Sequence, residues 1–101
     1  MSEWKEFREE LMRDPDVKAA YDAHAADREL ARAIIRQRME QKITQQELAE
    51  RMQVPQGNIS RLESGARTPT LDTLRRAAAA LGVPLEIRFG SQTVALSEGK
   101  R

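Results

Sequence analysis

Over most of this chain, apolar residues recur every three or four positions with charged residues between them. Near the N-terminus Trp4, Phe7 and Leu11 are spaced in this way, which predicts a short helix with an aromatic stripe. This spacing matches the 3.6-residue period of an amphipathic α-helix, so the pattern predicts a mostly helical protein.

A second helical stretch begins at Asp14 and Pro15. Asp14 is a suitable N-cap and Pro15 a suitable first residue, because proline lacks only an N–H that would be unpaired at that position. Nothing interrupts the pattern from residue 16 to about residue 41. The stretch therefore forms one long helix, or two helices with a break near residues 23–27, and the sequence leaves both open.

Two short helices are predicted next. Thr44 and Glu47 have the spacing of a capping box and begin a helix of about two turns. The following segment, "RMQVPQGNISRLESG", predicts a helix that begins near Pro55 and is ended by Gly65. It also contains Gly57, a poor helix former. Two short helices joined by about three residues have the layout of a helix-turn-helix.

After a further helix capped by Thr70, the period changes to two. Leu85, Ile87 and Phe89 alternate with charged residues, and this predicts a strand or hairpin over residues 85–96. A lone hairpin has open edges and is marginally stable, so we expect it to mediate a homodimer. Residues 97–101 have nothing to hold them and are predicted to be a disordered tail.

Composition excludes several classes of function. There is no cysteine, and the single histidine, His24, lacks a nearby second ligand, so we predict no metal and no cofactor. No nucleophile–base pair, paired-carboxylate site or phosphate loop can be assembled, so we expect no enzyme. The acidic N-terminus is unlike a secretory signal, and no apolar run approaches the ~20 residues that span a bilayer. A cytoplasmic protein without membrane contact is expected.

Charge is distributed unevenly along the chain. Residues 1–29 carry nine acidic and five basic side chains, whereas residues 30–101 carry twelve basic and seven acidic ones. An acidic helical extension on a basic domain suits two kinds of partner, although both surfaces can also be plain solvated faces.

The segment "ITQQELAERMQVPQGNISRLESGARTPTLDTLRRAAAALGV" resembles the lambda-repressor-like (XRE/Cro-type) helix-turn-helix family. The resemblance covers roughly residues 32–83. It implies a lambda-repressor-like helical bundle with a DNA-binding domain at residues 30–84, and a double-stranded DNA partner with a palindromic operator.

The sequence departs from the family pattern at three positions. Lys42 and Gln53 stand where the family usually has glycine, so each requires a left-handed or adjusted backbone at a cost of about 1 kcal/mol. Pro55 stands where the family usually has serine or threonine, so a side-chain cap is lost. The fold tolerates these changes, which bear instead on the pitch of the second helix.

The resemblance implies a set of DNA-facing residues. The family uses the position of Gln45 on the DNA backbone and that of Gln56 on base edges, where an amide pairs with adenine. Arg61 is the best candidate for a guanine or phosphate contact, because its planar fork suits either. The DNA-facing residues are Thr44, Gln45, Gln56, Gly57, Asn58, Ser60, Arg61 and Arg67.

The remaining members of this set have weaker roles. Thr44 is first a helix cap, and Arg67 lies where the family commonly grips the backbone. Asn58 and Ser60 can equally be ordinary polar surface. Gly57 replaces a base-reading side chain, so we expect this protein to read one base fewer or to approach the groove more closely.

Arg38 and Glu63 are predicted to be structural. Both fall on apolar helical faces, and the family has a buried ion pair at the equivalent positions. Removing one partner strands a buried charge at a cost of about 3–5 kcal/mol.

The regions outside the domain resemble HigA-type antitoxins, through "DPDVKAAYDAHAADRELARAIIRQRMEQKITQ" upstream and "PLEIRF" downstream. This resemblance implies neutralisation of a small basic ribonuclease toxin of the RelE/HigB type and repression of the protein's own operon. The candidate toxin-binding residues are Trp4, Phe7, Leu11 and Tyr21. Alternatively, Trp4, Phe7 and Leu11 pack on the protein's own core.

Two other functions compete with the antitoxin. One is a stand-alone repressor of the phage or restriction-modification controller type. The other is a protein-bridging module that keeps the fold but does not read DNA.

Overall fold

The computed structural model describes residues 2–99 and contains five helices followed by a two-stranded antiparallel hairpin. The prediction of a mostly helical helix-turn-helix protein with a short C-terminal hairpin is confirmed. The elements are α1 (Ser2–Leu11), α2 (Pro15–Glu40), α3 (Gln45–Met52), α4 (Gln56–Ser64), α5 (Leu71–Leu81), β1 (Pro84–Phe89) and β2 (Gln92–Glu98).

The long stretch after Asp14 is one helix. The Asp14 carboxylate accepts from the backbone N–H of Asp16 at 2.9 Å and so caps α2, with Pro15 in the first position. Three of residues 23–27, where the sequence allows a break, are alanine, which has the highest helix propensity. The predicted boundary at residue 29 lies inside α2, so extension and domain share one continuous helix.

The core lies where α2, α3, α4 and α5 meet. Leu48 of α3 and Ile59 of α4 are fully buried, and Ile34 of α2 and Leu81 of α5 pack with them. Ala77 of α5 is buried in the same cluster. Within residues 2–99, no helix combines the length and the apolar character needed to cross a membrane.

Local caps fix the ends of the short helices. Glu47 N–H donates to the Thr44 hydroxyl at 3.0 Å, and Thr44 N–H donates to the Glu47 carboxylate at 2.7 Å, which completes the capping box. Lys42 and Gln53 are left-handed, with φ of 60° and 59°. Pro55 precedes α4 and makes no side-chain cap. The backbone conformations expected from the missing glycines and the missing cap are therefore present.

The C-terminal hairpin is longer than predicted. β2 continues to Glu98, so Ser97 and Glu98 belong to the sheet and their assignment to a disordered tail is wrong. Ser97 pairs with Leu85 across the strands, and its hydroxyl donates to the carbonyl of Val83 at 3.2 Å, which holds the strand end. Of the remaining predicted tail, residues 100–101 lie outside the described part of the chain.

The aromatic stripe of α1 is not part of the core. Trp4 is 64% exposed, Phe7 54% and Leu11 38%, and Tyr21 on α2 is 37% exposed. The alternative in which this stripe packs on the protein's own core is therefore wrong. Arg8 connects α1 to α2, because its guanidinium lies 5.1 Å from the Tyr21 ring centre and donates to the phenol oxygen at 3.0 Å.

Candidate nucleic-acid interface

The turn between α3 and α4 is held by backbone and core contacts. Val54 N–H donates to the carbonyl of Ala49 at 3.0 Å, and the Val54 side chain packs against the core. Asn58 N–H donates to the carbonyl of Pro55 at 2.9 Å, which closes the first turn of α4. The angle between the two helices is therefore set by backbone hydrogen bonds and by the packing of Val54.

The two faces of α4 have different chemistry. Ile59 and Glu63 are buried on the inward side. Four polar residues predicted to face DNA are exposed, and they are Gln56, Asn58, Ser60 and Arg61. This separation leaves the polar side chains of α4 available to a partner.

Arg38 of α2 and Glu63 of α4 form an ion pair in the interior. Arg38 Nε donates to Glu63 Oε2 at 2.7 Å and Nη2 donates to Oε1 at 3.0 Å, so the contact is bidentate. Arg38 Nη1 also donates to the carbonyl of Ile43 at 3.0 Å. The hydrogen bond that Arg38 donates to Glu63 is the main reason that the pKa of Arg38 is raised. Burial opposes this rise, and the negative charge of Glu63 adds to it.

The ion pair is connected to the predicted DNA-facing glutamines. Gln45 Nε2 donates to Glu63 Oε1 at 3.0 Å, and Gln56 Nε2 donates to Gln45 Oε1 at 2.7 Å. The carboxylate can only accept, so Gln45 must donate to it and present its oxygen to Gln56. The buried charge therefore fixes the orientation of both amides.

This orientation leaves defined groups for DNA. An amide nitrogen carries two N–H groups, so Gln56 keeps one free N–H as well as its oxygen. These are the donor and the acceptor that bind N7 and the N6 amino group of adenine in the major groove. Gln45 keeps one N–H at the N-terminus of α3, where the helix dipole favours a phosphate. Sequence reasoning treated the two glutamines separately, because they lie eleven positions apart.

Two surface depressions collect most of the predicted DNA-facing residues, and α4 contributes to both. Thr44, Gln45 and Gln56 line one. Asn58, Arg61 and Arg67 line the other, between α4 and the start of α5. Ser60 lies exposed on α4 and Gly57 is half-buried.

A buried carboxylate that sequence reasoning missed contacts the residue that follows Arg67. Asp27 on α2 is only 7% exposed, and it accepts a hydrogen bond from the hydroxyl of Thr68, which lies 2.9 Å from both of its oxygens. Gly65 allows the close approach of the two segments, because a Cβ there would lie 3.2 Å from the Cα of Arg28 and φ is 72°. The Asp27–Thr68 contact fixes the loop that carries Arg67 onto α2.

Comparison with protein families agrees with this geometry. A family model described as Helix-turn-helix matches residues 34–87, more than half of the chain. The chain belongs to this helix-turn-helix family of XRE/lambda-repressor-like proteins, which are DNA-binding transcription regulators. Searches of curated proteins and of solved structures gave no significant match.

Proposed function

We propose that this DNA-binding regulator is the antitoxin of a type II toxin–antitoxin system. As a homodimer in the cytoplasm, it binds a palindromic operator, represses its own operon and neutralises a small basic ribonuclease toxin of the RelE/HigB type. The observation that carries the proposal is the uncovered aromatic stripe on an acidic helical extension that the DNA-binding fold does not need.

The α1 surface has the properties of a protein-binding site. The rings of Trp4 and Phe7 lie with their centres 6.0 Å apart, and more than half of each side chain is exposed. Large aromatic side chains clustered on a charged surface indicate a partner, since water contact with them is unfavourable. Residues 1–29 carry four more acidic than basic side chains, which complements a surface that binds RNA phosphates.

The extension is positioned relative to the DNA-binding helices. Arg8 ties α1 to Tyr21, and α2 continues without a break from Pro15 into the domain core at Ile34. A partner held by α1 and the start of α2 is therefore connected to the operator-binding face by one helix. This arrangement supports a single protein that serves both partners.

The hairpin supports a homodimer. Ile87 pairs with Val94 on one face, to which Leu85 and Phe89 also belong, and Phe89 is 83% exposed. A two-stranded sheet with open edges is marginal alone, and pairing with a second copy completes it. Two-fold symmetry is what a repressor of this kind needs, since its two recognition helices must lie about 34 Å apart on half-sites one DNA turn apart.

Separating the two activities tests the proposal. Expression of a short basic reading frame adjacent to the gene should arrest growth, and co-expression of the parent protein should restore it. The Trp4→Ala/Phe7→Ala variant should fail to restore growth but still retard its own promoter in a gel shift. The Gln56→Ala/Arg61→Ala variant should do the reverse. Equal rescue by the Trp4/Phe7 variant and the parent would contradict the assignment of α1.

Other outcomes identify the competing functions. Absence of a short basic reading frame beside the gene indicates a stand-alone repressor. If Gln56→Ala and Arg61→Ala each bind the promoter as tightly as the parent does, base reading by α4 is refuted and a protein-bridging role remains.

A further inference from the structure

The fold does not require the glycine in the first turn of α4. The φ of Gly57 is not positive, so any residue can adopt its backbone conformation. A Cβ built on it meets Nη1 of Arg61 at 3.6 Å, which is an ordinary van der Waals distance. What distinguishes this position is therefore the side chain that lies over it.

Arg61 lies over the position of Gly57. Side chains on a helix lean toward its N-terminus, so a residue covers the surface one turn before its own Cα. Here Arg61 Nη1 lies next to Gly57, and Nη2 donates to Asn58 Oδ1 at 2.8 Å. The guanidinium thus occupies the space over the first turn of α4 that a longer side chain at position 57 would fill.

We propose that Arg61 is the residue of α4 that contacts guanine and that Gly57 contributes to specificity by leaving room for the Arg61 side chain. This inference rests on the DNA-binding function proposed above. Asn58 is a positioning residue, because its oxygen accepts one N–H of the Arg61 guanidinium and so holds the group in place. The other four N–H groups are not used in this hydrogen bond. The missing base-reading side chain at position 57 is replaced by one that reaches back from position 61.

The position of the Arg61 guanidinium favours a contact with a base over a contact with a phosphate. In helix-turn-helix complexes the N-terminal residues of the second helix meet the base edges, and the guanidinium of Arg61 lies at that end. Arginine binds the O6 and N7 of guanine through two parallel hydrogen bonds, which requires the planar fork held in one orientation. Asn58 supplies this restraint.

The test is selection of binding sites from randomised double-stranded DNA. The parent protein should select a guanine at one fixed position of each half-site. Arg61→Ala should lose roughly 5- to 150-fold discrimination at that position alone, the range for one bidentate base contact. Arg75→Ala is the matched control, because it removes one arginine charge from an exposed pair with Asp72 on α5.

Variants at position 57 test the role of the glycine. Gly57→Gln should lose the guanine preference although Arg61 is present, because the longer side chain takes the same space. Gly57→Ala should keep it, since its Cβ fits at 3.6 Å. Far-UV circular dichroism with thermal unfolding checks that each variant is folded.

Three results would overturn the inference, and each refutes a different part of it. If Arg61→Ala weakens all sequences equally and lowers the salt slope by about one, Arg61 contacts a phosphate. If Gly57→Gln retains the guanine preference, the glycine has no part in specificity. If the parent selects no sequence at all, sequence-specific DNA binding itself fails and this inference fails with it.

Discussion

Removing Glu63 should destabilise the domain more than any surface change. In Glu63→Ala, Arg38 loses both hydrogen bonds to the carboxylate and keeps the one to the carbonyl of Ile43. The Arg38 side chain is 14% exposed, so water cannot replace the lost partner fully. Gln45 loses its acceptor at the same time.

The expected loss follows from this burial. The Glu63 side chain is 4% exposed, and breaking a buried ion pair by removing one partner costs about 3–5 kcal/mol. Native domains typically have a free energy of unfolding of about 5–15 kcal/mol, so this loss is a large fraction of the total. For a chain of this size 1 kcal/mol corresponds to about 4–8 °C in the melting temperature, so Glu63→Ala should lower it by about 12 °C or more.

Thermal and urea unfolding followed by circular dichroism measures the effect. The double variant Arg38→Met/Glu63→Leu should recover most of the lost stability, because it removes both charges and keeps apolar volume. Asp72→Ala removes an exposed partner of Arg75 and should change stability by less than about 0.5 kcal/mol. A melting temperature for Glu63→Ala equal to that of the parent would refute the structural role of the pair.

Three further changes test other parts of the structure. Thr68→Val leaves the buried Asp27 carboxylate without the Thr68 hydroxyl and should cost about 1–3 kcal/mol, whereas a loss below 0.5 kcal/mol in urea unfolding would show that this contact is unimportant. Gln53→Gly removes the strain of a side chain on left-handed backbone and should raise the free energy of unfolding by about 0.5–1 kcal/mol. A melting temperature below that of the parent would contradict this expectation. Phe89→Asp places a charge at the proposed dimer contact and should convert a dimer to a monomer in sedimentation; an unchanged dimer would exclude this surface.

The local structure of this chain was predictable from sequence because its signals act over a few residues. The capping box of Thr44 and Glu47 and the glycine at the end of α4 determine where helices begin and end. The left-handed conformation of Lys42 and Gln53 followed from their positions in the family pattern. Sequence left the unity of α2 open, since no single residue between Asp16 and Gln41 marks or forbids a break.

The connections between distant residues were decided by the tertiary structure. The sequence identified Gln45 and Gln56 as separate candidates, but only the packing of α2, α3 and α4 links them through Glu63 to Arg38. The Asp27–Thr68 contact joins residues 41 positions apart, so no pattern of neighbouring residues in the sequence indicates it. β2 extends to Glu98 because its partner strand supplies hydrogen bonds, which a single strand's sequence does not reveal.

The segment "RMQVPQGNISRLESG" shows both contributions. The sequence by itself determined that it forms the second helix of a helix-turn-helix and that Gly57 lacks a base-reading side chain. Only the tertiary structure decided that Glu63 of this segment pairs with Arg38 of α2 and accepts a hydrogen bond from Gln45. The reason is physical: helix periodicity gives the spacing of side chains along one helix, whereas an ion pair between residues 25 positions apart depends on how the helices pack in three dimensions.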